Sequence, residues 1–274
     1  MSPDLLFLVA LAVKMVVTGF FVVGAVHSAE RAGPVVAAMV ATLPVAAGPS
    51  YIFLSLDHDA VFIANSALAS FVMNAVTCVL ALVYASLAQR RGFIVSVGTA
   101  LATWIALAIL LRSFTWTTAT ACAFNIAVLG GCLAIGDRLR HVRMPLVTRR
   151  WYDIPLRAGM VAVLVATVVG LSTRVGPTVT GILAVFPVVM TSLMLILHPR
   201  IGGRATAAVF ANSMLGLVGF SLSCLTAHLT VVPLGKAAGL SLALAVSIGC
   251  NLVFWRMRRG KRIPTTTPSS SPRA

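Results

Sequence analysis

The sequence predicts an all-α protein, a polytopic membrane helical bundle of about nine transmembrane helices with an inverted-topology internal repeat. Three observations predict it. Of 274 residues, 59% are hydrophobic and only 10% charged, and the mean hydropathy is +1.00, whereas a soluble domain is about half apolar and a quarter charged. The apolar runs reach the ~20 residues a helix needs to cross a bilayer, with none of the alternation of a β-barrel. And the stretch RAGPVVAAMVATLPV at 31–45 recurs as RVGPTVTGILAVFPV at 174–188.

The spans expected are 5–26, 33–55, 60–88, 92–111, 114–135, 155–173, 176–197, 204–232 and 235–255. The first resembles a signal peptide only superficially. It lacks a basic leading region, Lys14 interrupts it, and His27 stands where a small residue belongs. Two stretches fall outside the spans. One is the basic linker DRLRHVRMPLVTRRWYDI at 137–154; the other is the tail at 256–274, basic and then rich in Pro, Ser and Thr, which reads as disordered. The chain divides into a first repeat (1–111), a connecting span with the linker (112–154), a second repeat (155–256) and the tail (257–274).

Basic residues fix the topology. With the N-terminus on one side, the opposite side receives Arg31, Arg90, Arg91, Arg138, Arg140, Arg143, Arg149, Arg150, Arg200, Arg204 and all the tail cations; the N-terminal side receives Arg112, Arg174 and Lys236. Lys and Arg accumulate in cytoplasmic loops. The N-terminus is therefore expected outside and the C-terminus in the cytoplasm. The same rule accounts for the net charge of +15 without nucleic acid as a partner. The linker and tail would instead rest on anionic lipid.

In the repeat, Arg31, Gly33, Pro34, Val36, Ala41, Pro44 and Val45 match Arg174, Gly176, Pro177, Val179, Ala184, Pro187 and Val188. The copies lie five spans apart, so they cross in opposite directions, a plan that recurs in secondary transporters. In each copy Gly-Pro opens a helix, where the missing N–H is harmless. The second proline follows ten residues later, roughly 15 Å further on and near the bilayer centre. There it withdraws a hydrogen bond from Val40 or Leu183. Both helices are expected to bend or break at mid-depth, and the two breaks together to form a central substrate site. The other reading is a pair of packing kinks healed by neighbouring hydroxyls.

Span 2 adds Gly48 and Pro49 where span 7 has Thr191 and Ser192. Lys14 and Arg157 occupy equivalent positions, 19 residues before each Gly-Pro. Lys14 reads as a cation held inside the membrane, and Arg157 as one that snorkels to the cytoplasm. Ala-Asn-Ser recurs at 64–66 and 211–213, placing Asn65 and Asn212 in both halves. Asn74, Asn125 and Asn251 read as interhelical glue. Candidate substrate contacts are thus Lys14, Pro44, Asn65, Pro187, Thr191, Ser192 and Asn212.

The six acids, Asp4, Glu30, Asp57, Asp59, Asp137 and Asp153, fall in loops or at span ends. Cations without carboxylates in the spans favour a small anionic or neutral polar solute. Asp57-His58-Asp59 reads as a solvated turn and not a metal site. Cys78, Cys122, Cys132, Cys224 and Cys250 all lie in apolar runs without a CxxC pair and read as reduced core thiols. No nucleophile, zinc or nucleotide signature is present, so neither an enzyme nor a cofactor is expected. The runs GPVVAAMVATLPV and GPTVTGILAVFPV resemble the GlpM-type small bacterial inner-membrane proteins, with Leu43-Pro44 departing from the Phe-Pro that Phe186-Pro187 keeps. The resemblance implies a bacterial inner-membrane protein made of two fused copies and linked to polysaccharide or envelope processes, and carries no catalytic residue. The alternative to a transporter is a scaffold or accessory subunit of a cell-envelope biosynthesis complex.

Overall fold

A computed structural model describes residues 3–31, 47–139 and 150–259. Every regular element among them is helical. Helix α1 is Pro3–Arg31, α2 Ala47–Asp57, α3 Ala60–Leu87, α4 Phe93–Leu111 and α5 Thr118–Gly136, followed by a 3₁₀ turn at Asp137–Leu139. Then come α6 at Asp153–Ala184, α7 at Val188–Leu234 and α8 at Lys236–Arg259. Pro34 and Pro44, the basic stretch 140–149 and the tail beyond 259 lie outside the described residues.

Among the described residues, five stretches are long and apolar enough to cross a membrane: Ala60–Leu87, Phe93–Leu111, Thr118–Leu139, Asp153–Leu234 and Lys236–Phe254. This count differs from nine for definite reasons. The expected spans 155–173, 176–197 and 204–232 all fall inside the near-continuous Asp153–Leu234 stretch. In α1 the apolar stretch among the described residues is the shorter Val9–Gly24, and span 2 is described only from Ala47. The long stretch is not one rod. Gly176 (φ 74°) and Gly202 (φ 79°) leave the helical region inside α6 and α7, and residues 185–187 separate the two helices. A positive φ is available to glycine because it has no Cβ.

Two groups of contacts mark opposite ends of the bundle. At one end Lys14 meets Asp57, His58 meets Ser172, Lys236 donates to the His58 carbonyl, and His228 meets both Thr118 and the Ala64 carbonyl. At the other, Arg200 grips Asp153, and His198 meets Tyr84 and the edge of Phe93. Between Ser172 and Arg200 the chain therefore runs from the first end to the second, and between Arg200 and His228 it returns.

Helix α3 is the central post. Within its most apolar window 78% of residues are buried, against 28% for α4 and for α5, and 22% for α8. Its inner faces are small: Ala64, Ser66, Ala67, Ala69, Ser70, Ala75, Ala81 and Ala85 are all buried. Small side chains let helix backbones approach closely, which is how helices associate where lipid removes the hydrophobic drive. α7 answers with Ala205, Thr206, Ala207, Ala208 and Ala211. Asp59 starts α3 by accepting the Phe62 N–H at 2.7 Å, and Thr117 with Thr120 forms a capping box on α5; each satisfies amides that a helix start leaves open.

Candidate functional site

The site is built around the interruption at 185–187. α6 ends at Ala184 because Pro187 cannot supply the N–H that would bond Leu183. The Leu183 carbonyl does not stay open, contrary to the expectation from sequence: it accepts the Phe186 N–H at 3.0 Å in a tightened turn. The helix restarts with Thr191 returning both its N–H and its hydroxyl to the Pro187 carbonyl at 2.8 Å. The break straddles two halves of the core. Val185 packs with Trp104, Met194 and Phe210, while Ala184 and Val188 pack with Val165 and Val168. Phe186 stands edge-on to Trp104, centroids 5.2 Å apart, and the Trp104 indole N–H donates to Thr77 at 3.1 Å.

Two polar chains cross the bundle beside the break. In the first, Tyr51 of α2 shares a 2.7 Å hydrogen bond with Ser70 of α3, whose hydroxyl also lies 2.7 Å from the Gly181 carbonyl of α6. The described part of span 2 thus reaches span 7 through one serine. In the second, Asn74 of α3 donates to the Leu217 carbonyl and to Ser221 of α7, both at 2.7 Å. Ser221 donates to Asn125 of α5 at 3.0 Å, and Asn125 donates back to the Phe71 and Ala121 carbonyls at 3.1 Å. The chain ends on Asn74 Oδ1, a fully buried acceptor with no hydrogen-bond donor; Ser66 Oγ is likewise buried without a partner. These atoms suit a neutral hydrogen-bond donor.

The expected site residues are only partly brought together. Pro187 is at the break. Ser192 is buried one turn on and bonds the Val189 carbonyl at 2.8 Å, so both hydroxyls of the Thr191–Ser192 pair are engaged by their own helix. Asn212 donates to the Ala208 carbonyl of its own helix, and Asn65 faces outward on α3. Lys14 lies at the first end, where it pairs with Asp57 at 2.5 Å and reaches over the Phe53 ring. Arg157 is half-buried, with its Nε away from water, and so does not extend freely into solvent. The contributors that residue types alone did not single out are Tyr51 and Ser70. Their signal was position: Tyr51 follows Gly48-Pro49 by two residues, and Ser70 lies one turn before Asn74.

The Asp57-His58-Asp59 turn is also more than solvated. Asp57 holds Lys14, Asp59 caps α3, and His58 bonds Ser172 at 2.7 Å while stacking on Phe62 at 3.8 Å. Burial holds the His58 imidazole below its ordinary range, against the pull of Asp57 and Asp59. The unfolded chain then binds more protons below about pH 6.5, so this contribution to stability is present above that value and is lost as pH falls towards the folded pKa. In detergent, the melting temperature should fall between about pH 7.5 and 5.5, and the fall should shrink in His58→Gln; an unchanged fall in that variant would remove His58 as a cause.

Among the described residues no group of three or more His, Cys, Asp or Glu side chains is placed to hold a metal ion, and none of the five cysteines forms a disulfide. The class this fold defines is a helical protein with several helices apolar and long enough to lie across a membrane. No family model, no curated protein and no solved structure matches the chain.

Proposed function

We propose that the chain is a multi-pass carrier of the bacterial inner membrane, with its N-terminus outside and its C-terminus in the cytoplasm. It moves a small anionic or neutral polar solute by alternating access between two inverted halves. The observation that carries this reading is the Asn74–Ser221 hydrogen bond. These residues are 147 apart, the same offset that relates Asn65 to Asn212. They are therefore equivalent positions of the two copies, and they touch. In a twofold, isologous contact the residues that lie on the axis meet their own equivalents. The pairing of α1 with α6 and of α3 with α7 supports the same axis, since each joins one element to its counterpart. Breaks in helices at such an axis are where carriers of this plan bind substrate.

Lys14 and Asp57 would close the outer end, while Asp153 and Arg200 close the inner one. Asp57 and Arg200 are equivalent positions of the repeat, but their partners are not, since Lys14 corresponds to Arg157 and not to Asp153; each end is closed by its own ion pair. The resemblance to GlpM-type proteins adds an envelope-linked solute as a proposal. The second reading, a scaffold in an envelope-biosynthesis complex, is favoured by one observation. The cavity bordered by Tyr51, Phe220, Cys224 and Leu240 is small, about 100 Å³, and almost wholly apolar.

Reconstituted flux separates the two. Healing the break with Pro187→Ala, or removing the latch with Lys14→Ala, is expected to slow flux about tenfold, equivalent to roughly 1.4 kcal/mol on the limiting barrier. Parent vesicles that move no member of a panel of small anions and polyols faster than empty vesicles would favour the scaffold. Variants that matched an active parent would remove Pro187 and Lys14 from the mechanism.

A further inference from the structure

Helices α3 and α5 start at the same end of the bundle, because His228 bridges the Ala64 carbonyl and the Thr118 hydroxyl. They therefore run parallel, and they keep one register. The Asn125 amide donates to the Phe71 carbonyl, 54 residues before it in the chain, and Ala64 and Thr118 have the same separation. The two meeting points are seven residues apart on each helix, which is two turns or roughly 10 Å. A recurrence of seven keeps two helices facing each other along a shallow crossing.

The next step of seven brings Cys78 opposite Cys132. Their side chains share a hydrogen bond. The two residues are 0% and 5% exposed and belong to one core cluster with Val97, Trp104 and Met214. Packing holds the pair from both directions. One turn before Cys78, Asn74 is tied through Ser221 to Asn125. One turn after Cys132, Gly136 lies so close to Met214 that a Cβ there would stand 2.9 Å from its sulfur. Two thiols that meet across parallel helices satisfy the directional requirement of a disulfide, that the side chains point at each other.

We propose that Cys78 and Cys132 form an oxidation site, at which a small uncharged oxidant, hydrogen peroxide, makes a disulfide that ties α5 to the central post. One thiol, deprotonated, attacks the peroxide. An S–O bond forms, the O–O bond breaks, and the released hydroxide leaves with the thiol's proton as water. The second thiol then attacks the sulfenic sulfur. The S–S bond forms and the S–O bond breaks, giving a second water. The sulfur pair loses two electrons and the peroxide gains them. Burial slows the first step, because the thiolate is the nucleophile. Burial also decides the product: the second thiol is already in contact, whereas a further peroxide has to enter the core. Oxidation therefore stops at the disulfide and does not reach sulfinic acid. The link closes a loop that contains all of α4 and restricts the unfolded chain. This chemistry is the same whether or not the chain moves a solute.

The purified full chain in detergent tests it. The chain is treated with hydrogen peroxide, quenched, unfolded in N-ethylmaleimide, and its labels are counted by mass. The untreated chain should carry five labels and the treated chain three, with positions 78 and 132 joined in one cross-linked peptide. Treatment should raise the melting temperature by roughly 5 °C, and reduction after unfolding should return all five labels. Cys132→Ala should show neither the cross-link nor the rise. If that variant misfolds, the cross-linked peptide of the parent still decides. Five labels after treatment, sulfinic acid at either position, a link between Cys122 and Cys224, which share a different cluster, or a link between two chains would each overturn the assignment.

Discussion

Replacing Gly181 by valine should prevent α6 from docking on α3 and leave little folded chain. A Cβ at 181 would stand 2.1 Å from the Ser66 carbonyl oxygen and 2.9 Å from the Ala69 Cβ. Neither obstacle is a flexible side-chain tip. The two helices are also pinned there by the 2.7 Å hydrogen bond from Ser70 to the Gly181 carbonyl, so relief by displacement costs that bond and the Tyr51 contact behind it. Overpacking a tight core typically costs about 1–3 kcal/mol; alanine should reach the top of that range and valine exceed it. Thermal unfolding in detergent is the readout. Gly98→Ala is the control, because a Cβ there meets nothing within 4 Å and helix propensity alone favours alanine by roughly 1 kcal/mol. If Gly181→Ala melted with the parent, α3 and α6 would not be in backbone contact at this depth.

Asn125→Ala should be the most damaging polar-to-alanine change on α5. Its amide donates to two carbonyls, and its oxygen receives the Ser221 hydroxyl. Interhelical hydrogen bonds in membranes average about 0.6 kcal/mol and reach about 1.7. The truncation also leaves a cavity beside Leu129, Ala121 and the α3–α7 seam. Together these give an expected loss of roughly 2–4 kcal/mol. Asn65→Ala should cost almost nothing, because Asn65 faces outward. A loss at Asn65 equal to that at Asn125 would mean that the outward amide is covered by a partner or by another part of the chain.

The contrast between these two asparagines shows where sequence reasoning reached its limit. Asn65 attracted attention because its neighbours recur in the second half, yet recurrence says nothing about which face of a helix carries a residue. Asn74 and Asn125 read as glue, and glue is what their hydrogen bonds make them. Lys14 read as an inward cation, and it lies instead against Asp57, because a four-carbon stem can carry its ammonium along the helix to a carboxylate at the end of the bundle. The repeat's second proline marked the break at 185–187 correctly, because proline removes an N–H wherever it stands. It did not reveal that Phe186 would turn back to bond the Leu183 carbonyl, which depends on how the chain re-enters the core.

The sequence by itself determined that the chain is helical and apolar, close to where α3, α4, α5 and α8 begin and end, and that the backbone departs from helical geometry at Pro187. These follow from hydropathy and from the covalent peculiarities of glycine and proline, which act over a few residues. Only the tertiary structure decided which helix becomes the central post, which polar side chains meet across it, and that Asn74 finds Ser221, Tyr51 finds Ser70, and Asp153 finds Arg200. Those pairings link residues tens to more than a hundred positions apart. They are set by the rotation and spacing of packed helices, which no local pattern encodes.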